Sequence, residues 1–369
     1  MKVLVVSHSY IVEENRKNLV AMLADNTVKA VIPSWVHDRV LGRLYPEKSE
    51  TVSIFKRIAL PRVQFLLATL NMGMLKFKPD VIHIEYDPWT PIFWQSYLYK
   101  VMFAPKAKLV CTVKKNTFRK LPPLLQFLKN GVSNFFIKRV DHFIAVNEGV
   151  KSIYKSHFKV LEADITVLQH LGVDSSLFRP ERDDAKQEDG TIVVGFCGRI
   201  DEHKGVEDLV EAVKVLIMSG TSCKLRLLGR GGLSDHFKTL GYEWLEVVEP
   251  VPHHEVADFM RSLDIFAMPA RITPDHEEHD GHALMEAMAC GVACLGTNSG
   301  VIPELLSQGA GRIVKEPDIE ALSQELFKLA SDKSFRESLA LKAAQKVDHN
   351  YSIEAIATKR IEIYKGLFR

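Results

Sequence analysis

The strongest constraint on the fold of this chain is an alternation that runs once, stops and starts again. Short, nearly continuous apolar runs ("KVLVVS", "VKAVIP", "DVIHIE", "KLVCTV", "HFIAVN", "DITVLQ") are separated by stretches of helical periodicity, the first being "NRKNLVAMLADN". Strands that are apolar on both faces belong to parallel sheets covered by helices on either side. After Pro180, "ERDDAKQEDG" is polar and aperiodic, as a solvated linker or loop is. The alternation then resumes with strands "TIVVGFCG", "CKLRLLG", "LEVVEP", "DIFAMPA" and "VACLGT" and helices "GVEDLVEAVKVL", "HHEVADFMRSL" and "HALMEAMAC". Two such sets imply an α/β protein of two Rossmann-like domains, 1–178 and 179–350, facing across a cleft. The segment "SIEAIATKRIEIYKGLFR" within 351–369 reads as a helix with Ser352 at its N-cap.

A length of 369 residues suits two domains better than one core. The net charge of +2 excludes a strongly basic nucleic-acid binder on overall charge. The five cysteines are scattered and form no Cys-x-x-Cys, which fits reduced thiols and a cytoplasmic setting better than a disulfide framework or a zinc knuckle. No apolar stretch is long enough to span a bilayer, so any membrane contact is expected from the side, on the inner face.

The stretch "EEHDGHALMEAMACG" sets Glu278 and Glu286 eight positions apart around a glycine. It follows the strand "DIFAMPA", whose carboxyl end is where open α/β sheets bind ligands. A helix is expected to begin at Gly281 or His282, with Asp280 as its N-cap, and to offer amides and a partial positive charge to an anion or to sugar hydroxyls. Glu286, a turn further in, suits a vicinal diol such as a ribose. The competing reading is a solvated Glu278 and a Glu286 that merely favours the helix dipole. The second motif, "GRIDEHKG", runs from Gly198 to Gly205 after the first strand of the second set. Arg199 and Lys204 are placed for a diphosphate, Arg as a bidentate donor and Lys as a point charge, unless the loop is plain surface. Gly229 in "LLGRGG" and the backbone at Val251 in "EPVPHHEV" would flank a flat base; plain turns are the alternative. A metal reading of His276, His279 and His282 with Glu277 and Glu278 finds no support in spacing, since "HEEH" matches no zinc motif.

Residues 88–140 contain no Asp or Glu but many Lys and Arg, interleaved with Trp89, Phe93, Trp94, Tyr97, Tyr99, Phe103, Phe135 and Phe136. Such a mixture docks on anionic lipid headgroups or an anionic acceptor, or consists of core aromatics with solvated lysines between them.

Taken together, these motifs resemble the family 4 glycosyltransferases of GT-B fold. The two glutamates match that family's Glu-x7-Glu signature, "VVGFCGRIDEHKGVEDLVEAV" its Gly-Arg…Lys-Gly segment, "GTNSGVIPELL" its Gly-Gly-x-x-Glu segment and "HLGVDSSLFRP" its interdomain junction. The likeness runs through the second domain and thins in the first. It implies retaining transfer from a nucleotide-activated sugar, with no cofactor and no essential metal; a hexose from a UDP- or GDP-sugar is expected, and the basic–aromatic stretch favours a glycan or lipid-linked cell-envelope acceptor. On that reading Arg199 and Lys204 neutralise the leaving diphosphate, Glu286 holds the ribose and Glu278 orients the sugar. Donor contacts are expected from Gly198, Gly205, Gly229, Val251, Asp280, Gly281, His282, Ala283 and Leu284, and the 351–369 helix is expected to cross back onto the first domain.

Three departures stand out. An aromatic residue is usual at Asp280, "SHSYIVEEN" replaces the family's glycine-rich turn, and "CTVKKN" lacks a common histidine. Ser9, Tyr10, Glu85, Lys114 and Asn116 are the acceptor and cleft candidates. Three alternatives are a non-catalytic subunit that kept the fold, a nucleotide-sugar epimerase, and a dinucleotide oxidoreductase; the last is disfavoured because no Gly-x-Gly-x-x-Gly follows the first strand.

Overall fold

Apolar strands with a period of two pack one core layer on each face of a sheet, and the two large sheets of this protein are built that way. The computed structural model describes every residue except 24–25, 39–41, 56, 61–62, 68–76, 115–121, 182–189 and 275. Asn116 and most of the expected linker therefore lie outside the described residues. The chain divides into two compact units, Met1–Gly172 with Ile353–Arg369, and Val173–Ser352.

The first unit holds a seven-stranded parallel sheet: β1 (Lys2–Val6), β2 (Thr27–Pro33), β3 (Val52–Phe55), β4 (Val81–Ile84), β5 (Lys108–Val113), β6 (His142–Ala145) and β7 (Ile165–Val167). Their order is β7-β6-β5-β4-β1-β2-β3, with Val3 opposite both Val28 and Val81. The direction of winding reverses between β1 and β4, which makes that edge the switch point. Leu4, Val6, Ile82, Ile84 and Leu109 face one layer, with Phe93, Tyr99 and Tyr154. Val3, Val5, Val81 and Val110 face the other, which is closed by Ile356, Ala357 and Tyr364 of the Ile353–Gly366 helix.

Two parts of this unit differ from expectation. The first helix shrinks to a 3-10 turn at Glu14–Arg16 and a short Lys17–Val20 helix. Its polar residues turn inward: Arg16 donates to the carbonyls of Tyr10 and Glu47, and Asn18 accepts from the Gly172 amide. Between β2 and β4, two antiparallel pairs, Val36–Asp38 with Gly42–Leu44 and Arg57–Leu60 with Val63–Leu67, add structure that no periodicity announced.

The second unit holds β8 (Ile192–Cys197), β9 (Cys223–Leu228), β10 (Leu245–Val248), β11 (Ile265–Met268), β12 (Ala293–Thr297) and β13 (Arg312–Val314), in the order β10-β9-β8-β11-β12-β13. The switch point falls between β8 and β11. The Val206–Met218 helix shows why sequence and element agree. Val206, Leu209, Val210, Val213 and Leu216 form one buried stripe, and Glu207 and Asp208 sit in its first turn, where the helix dipole favours acid. The unit begins at Val173, ahead of the 178/179 boundary read from the sequence: the Val173 amide donates to the Tyr351 carbonyl at 2.8 Å and Phe178 lies in this unit's core.

Candidate active site

The loops at the carboxyl ends of β8, β9 and β11 carry the candidate groups of the second unit. Gly198 and Gly229 follow β8 and β9 directly, and the Gly198 amide donates to the Leu228 carbonyl at 2.9 Å. The loop then turns through Arg199 to a 3-10 turn at Glu202–Lys204, closed by Gly205. Arg199 donates to Asp201 at 2.9 Å and to the His203 ring at 3.1 Å. Lys204 Nζ lies 2.6 Å from Glu278 Oε2, with both side chains largely enclosed. The two cations of the motif are thus held by neighbours within the unit.

Glu278 is the most closely specified residue of the site. Its amide donates to Ser299 Oγ at 3.2 Å and its carbonyl accepts from the Val301 amide at 3.0 Å. This approach requires a glycine at 300: φ is +51°, and an added Cβ would lie 1.9 Å from the Glu278 carbonyl oxygen. Burial by itself raises the Glu278 carboxyl, but Lys204 foremost, with His276 and the Gly281 amide, holds it below the ordinary carboxylate range. Glu278 therefore stays ionised at neutral pH. His203 and His276 lie ring to ring at 4.3 Å, and burial, Lys204 and His203 push His276 down to about 4, so it is neutral there.

The helix that follows runs His282–Ala289, and its N-cap is Gly281 in the left-handed region, not Asp280. Only glycine fits: φ is +58°, and a Cβ would lie 2.6 Å from the Leu305 side chain. Asp280 stands before the cap, with Oδ1 enclosed and without a hydrogen-bond partner. Glu286, four residues after His282, shares its helix face. Its Oε1 lies 2.8 Å from His253 Nε2 and 3.4 Å from His282 Nε2. Leu284 is fully buried and Ala283 packs on the core, so their backbone is what remains for a ligand. Val251 is half-buried against the same core.

Sequence reading did not single out His253, His203 or Ser299, and weighed His276 only as a metal ligand. The tandem histidines of "HHEV" at the end of β10 were the available signal for His253; only the backbone at Val251 was taken from that segment. The metal reading of His276, His279 and His282, disfavoured on spacing, is not the grouping the structure brings together. Among the described residues, the three metal-capable groups that come together are His253, His282 and Glu286.

Of the first-unit candidates, Ser9, Tyr10 and Glu85 join a network of hydrogen bonds around Arg360 and His170. Tyr10 and Glu85 are buried, and Tyr10 Oη donates to Glu85 Oε1 at 3.1 Å. Arg360 donates to Tyr10 Oη at 3.3 Å and to the His170 carbonyl at 2.6 Å, and lies 3.9 Å from Glu85. Ser9 Oγ pairs with His170 Nε2 at 2.8 Å, and Tyr364 Oη with His83 Nδ1 at 2.6 Å. Burial first, then the charges of Arg360 and Lys114, depress both His83 and His170, so both are neutral. Enclosed in this way, Tyr10 and Glu85 anchor the terminal helix instead of presenting a surface.

Two Rossmann-ordered units, the second with a carboxylate on each side of a helix start at the end of its central strands, define the GT-B class of fold. Residues 31–177 match the family described as Glycosyltransferase Family 4, and residues 178–346 that described as Glycosyl transferases group 1. The chain belongs to the family 4 glycosyltransferases.

It is 25% identical over 239 residues to the capsular polysaccharide biosynthesis glycosyltransferase CapM of Staphylococcus aureus, covering 61% of this chain and 62% of that protein. It is 27% identical over 231 residues to the GDP-mannose-dependent monoacylated alpha-(1-6)-phosphatidylinositol monomannoside mannosyltransferase of Corynebacterium glutamicum, covering 58% of each. The chain thus spans under two thirds of the length of these curated relatives. Among solved structures, Anabaena Alr3699/HepE in complex with UDP and glucose shares the fold at a TM-score of 0.70 and 15% identity, over 99% of this chain and 100% of that one.

Proposed function

We propose that this protein transfers a hexose, with retention of anomeric configuration, from a UDP- or GDP-sugar to a glycan or lipid-linked acceptor of the cell envelope. The observation that carries this reading is the Lys204–Glu278 pair, set at the start of the helix that also bears Glu286. In the reaction, the bond between the anomeric carbon and the diphosphate oxygen breaks and a bond to the acceptor oxygen forms. Negative charge grows on the departing diphosphate. Arg199 and Lys204 neutralise it from fixed positions, the role a divalent cation takes in other enzymes. Glu286 accepts from the ribose hydroxyls, and Glu278, kept ionised by Lys204, accepts from a sugar hydroxyl. The amides of Gly281 and His282 face the donor. Two relatives supply context: one uses GDP-mannose on a phosphatidylinositol mannoside, and the other serves capsule synthesis.

The test is donor binding and turnover across a panel of UDP- and GDP-sugars. At least one is expected to raise the melting temperature, since ligands that bind the native state stabilise it. Glu286→Ala is expected to lose that shift, and a chelator to leave turnover intact. No response from any member of the panel, or turnover abolished by the chelator, refutes the reading. Conversion of the free donor without acceptor would identify an epimerase instead.

The acceptor side of this reading includes a membrane surface. The Pro91–Phe103 helix exposes Trp94, Leu98, Val101 and Met102, at i, i+4, i+7 and i+8 on one face. The Pro123–Ile137 helix exposes Leu124 and Phe127, each over 70% accessible, and Phe135. Lys129 and Arg139 lie over the rings of Trp89 and Phe135. Apolar side chains that enter the headgroup boundary, with cations beside them and no acid from 88 to 140, fit an anionic bilayer. Among the described residues no helix is long and apolar enough to cross a membrane. The protein is expected to sediment with phosphatidylglycerol vesicles at low salt and not with phosphatidylcholine vesicles. Leu98→Glu with Phe127→Glu is expected to abolish this binding; equal binding to both vesicles removes the proposal.

A further inference from the structure

We propose that His253, His282 and Glu286 form a binding site for a divalent transition metal of the zinc class, and that metal and nucleotide exclude one another there. The metal clause stands on the geometry alone; the exclusion clause rests on the assignment of Glu286 to the donor ribose. One carboxylate oxygen, Glu286 Oε1, sits 2.8 Å from His253 Nε2 and 3.4 Å from His282 Nε2, and all three ligand atoms lie within 4.8 Å of one another. Ligand atoms around a tetrahedral zinc are separated by roughly 3.3 Å, within the range these spacings cover.

The donor set selects the metal. Two imidazoles and one carboxylate suit Zn2+, Co2+ or Ni2+, whereas Mg2+ and Ca2+ require oxygen ligands. The frame is rigid. His282 and Glu286 are one turn apart on a helix, His253 opens the His253–Arg261 helix, and its ring lies against the buried Phe178 at 5.1 Å. Access is one-sided: the histidine side chains are about a third exposed (33% and 36%), while the Glu286 side chain is 6% exposed. A metal entering from solvent keeps one coordination position for water.

A histidine that donates to Oε1 carries its proton on Nε2. Metal binding needs that lone pair, so the proton moves to Nδ1 or, from an imidazolium, to solvent. Protons therefore compete with the metal for these nitrogens. With Oε1 on the metal, Glu286 no longer accepts from a ribose diol, which is the basis of exclusion.

The experiment is titration of the full chain with Co2+ in the absence of nucleotide, followed by its visible ligand-field absorption, with Zn2+ as competitor. One equivalent is expected to bind, and His253→Ala and His282→Ala are each expected to weaken it by at least about tenfold. His254→Ala and His279→Ala serve as controls expected to bind as the parent does. No bound Co2+, binding unaffected in His253→Ala and His282→Ala, or binding lost in His279→Ala overturns the site. In the second arm, UDP and GDP are added to the Co2+ form. Displacement supports exclusion, and a complex holding metal and nucleotide together overturns it. A chain that binds Co2+ through this triad but no nucleotide keeps the metal site and refutes the donor reading.

Discussion

Lys204→Ala is expected to lower kcat for glycosyl transfer by about a hundred- to a thousandfold, the usual cost of removing one preorganised charge donor from a developing oxyanion. The effect has a second source. Lys204 is the group that chiefly keeps the buried Glu278 ionised. Without it, burial is left to raise the carboxyl, and the protonated form gains ground. Two contributions are thus separable by pH. The loss in Lys204→Ala should shrink as pH rises and Glu278 ionises again, whereas a Lys204→Ala, Glu278→Gln double variant should show no such recovery. Steady-state rates from pH 6 to 9, with melting temperature as the control for folding, decide it; parental activity in Lys204→Ala removes the lysine from the mechanism.

Arg360→Ala is expected to destabilise the first unit by about 3–5 kcal/mol, the range found when one partner of a buried ion pair is removed. Arg360 and Glu85 are both fully enclosed, and Arg360 also holds Tyr10 and the His170 carbonyl. Chemical denaturation followed by tryptophan emission reports mainly this unit, because Trp35, Trp89 and Trp94 lie in it and only Trp244 in the other. Arg360→Met combined with Glu85→Leu should recover part of the loss, since no charge is then left unpaired. A change below about 1 kcal/mol in Arg360→Ala would show that the pair contributes little.

How far the sequence foretold this molecule depends on what each feature requires. Most strands of the two large sheets were legible because every second residue must enter one of two core layers, as Val3 and Val5 against Leu4 and Val6 do; β3 and β13 were not read. Residues 34–80 were not, because their short antiparallel pairs carry no sustained period. Glu278, Glu286, Arg199 and Lys204 were singled out through motif and position at strand ends. The pairing of Lys204 with Glu278 joins residues 74 apart and leaves no local trace. The same holds for His253, which meets Glu286 across 33 positions. Tyr10 and Glu85 were candidates for the cleft; the end of a strand also places a side chain under a covering helix, and the Arg360 that covers them comes 350 residues after Tyr10. Asp280 was expected to cap its helix, but the packing of Val301 and Leu305 leaves room at that turn only for the backbone of Gly281.

That the Ile353–Arg369 segment belongs to the first unit bears on biosynthesis. A nascent chain releases Glu85 and His170 from the ribosome well before Arg360, by a delay on the order of tens of seconds at ordinary translation speeds. Throughout that interval the amino-terminal sheet is exposed on the face later sealed by Ile356 and Tyr364, and its buried acid lacks a counter-charge. The Val173–Ser352 unit, contiguous in the chain, is under no such restriction and can complete itself first. The amino-terminal unit therefore waits on a distant segment of chain, and the interval before Ile353–Gly366 emerges is when a chaperone has the most to protect.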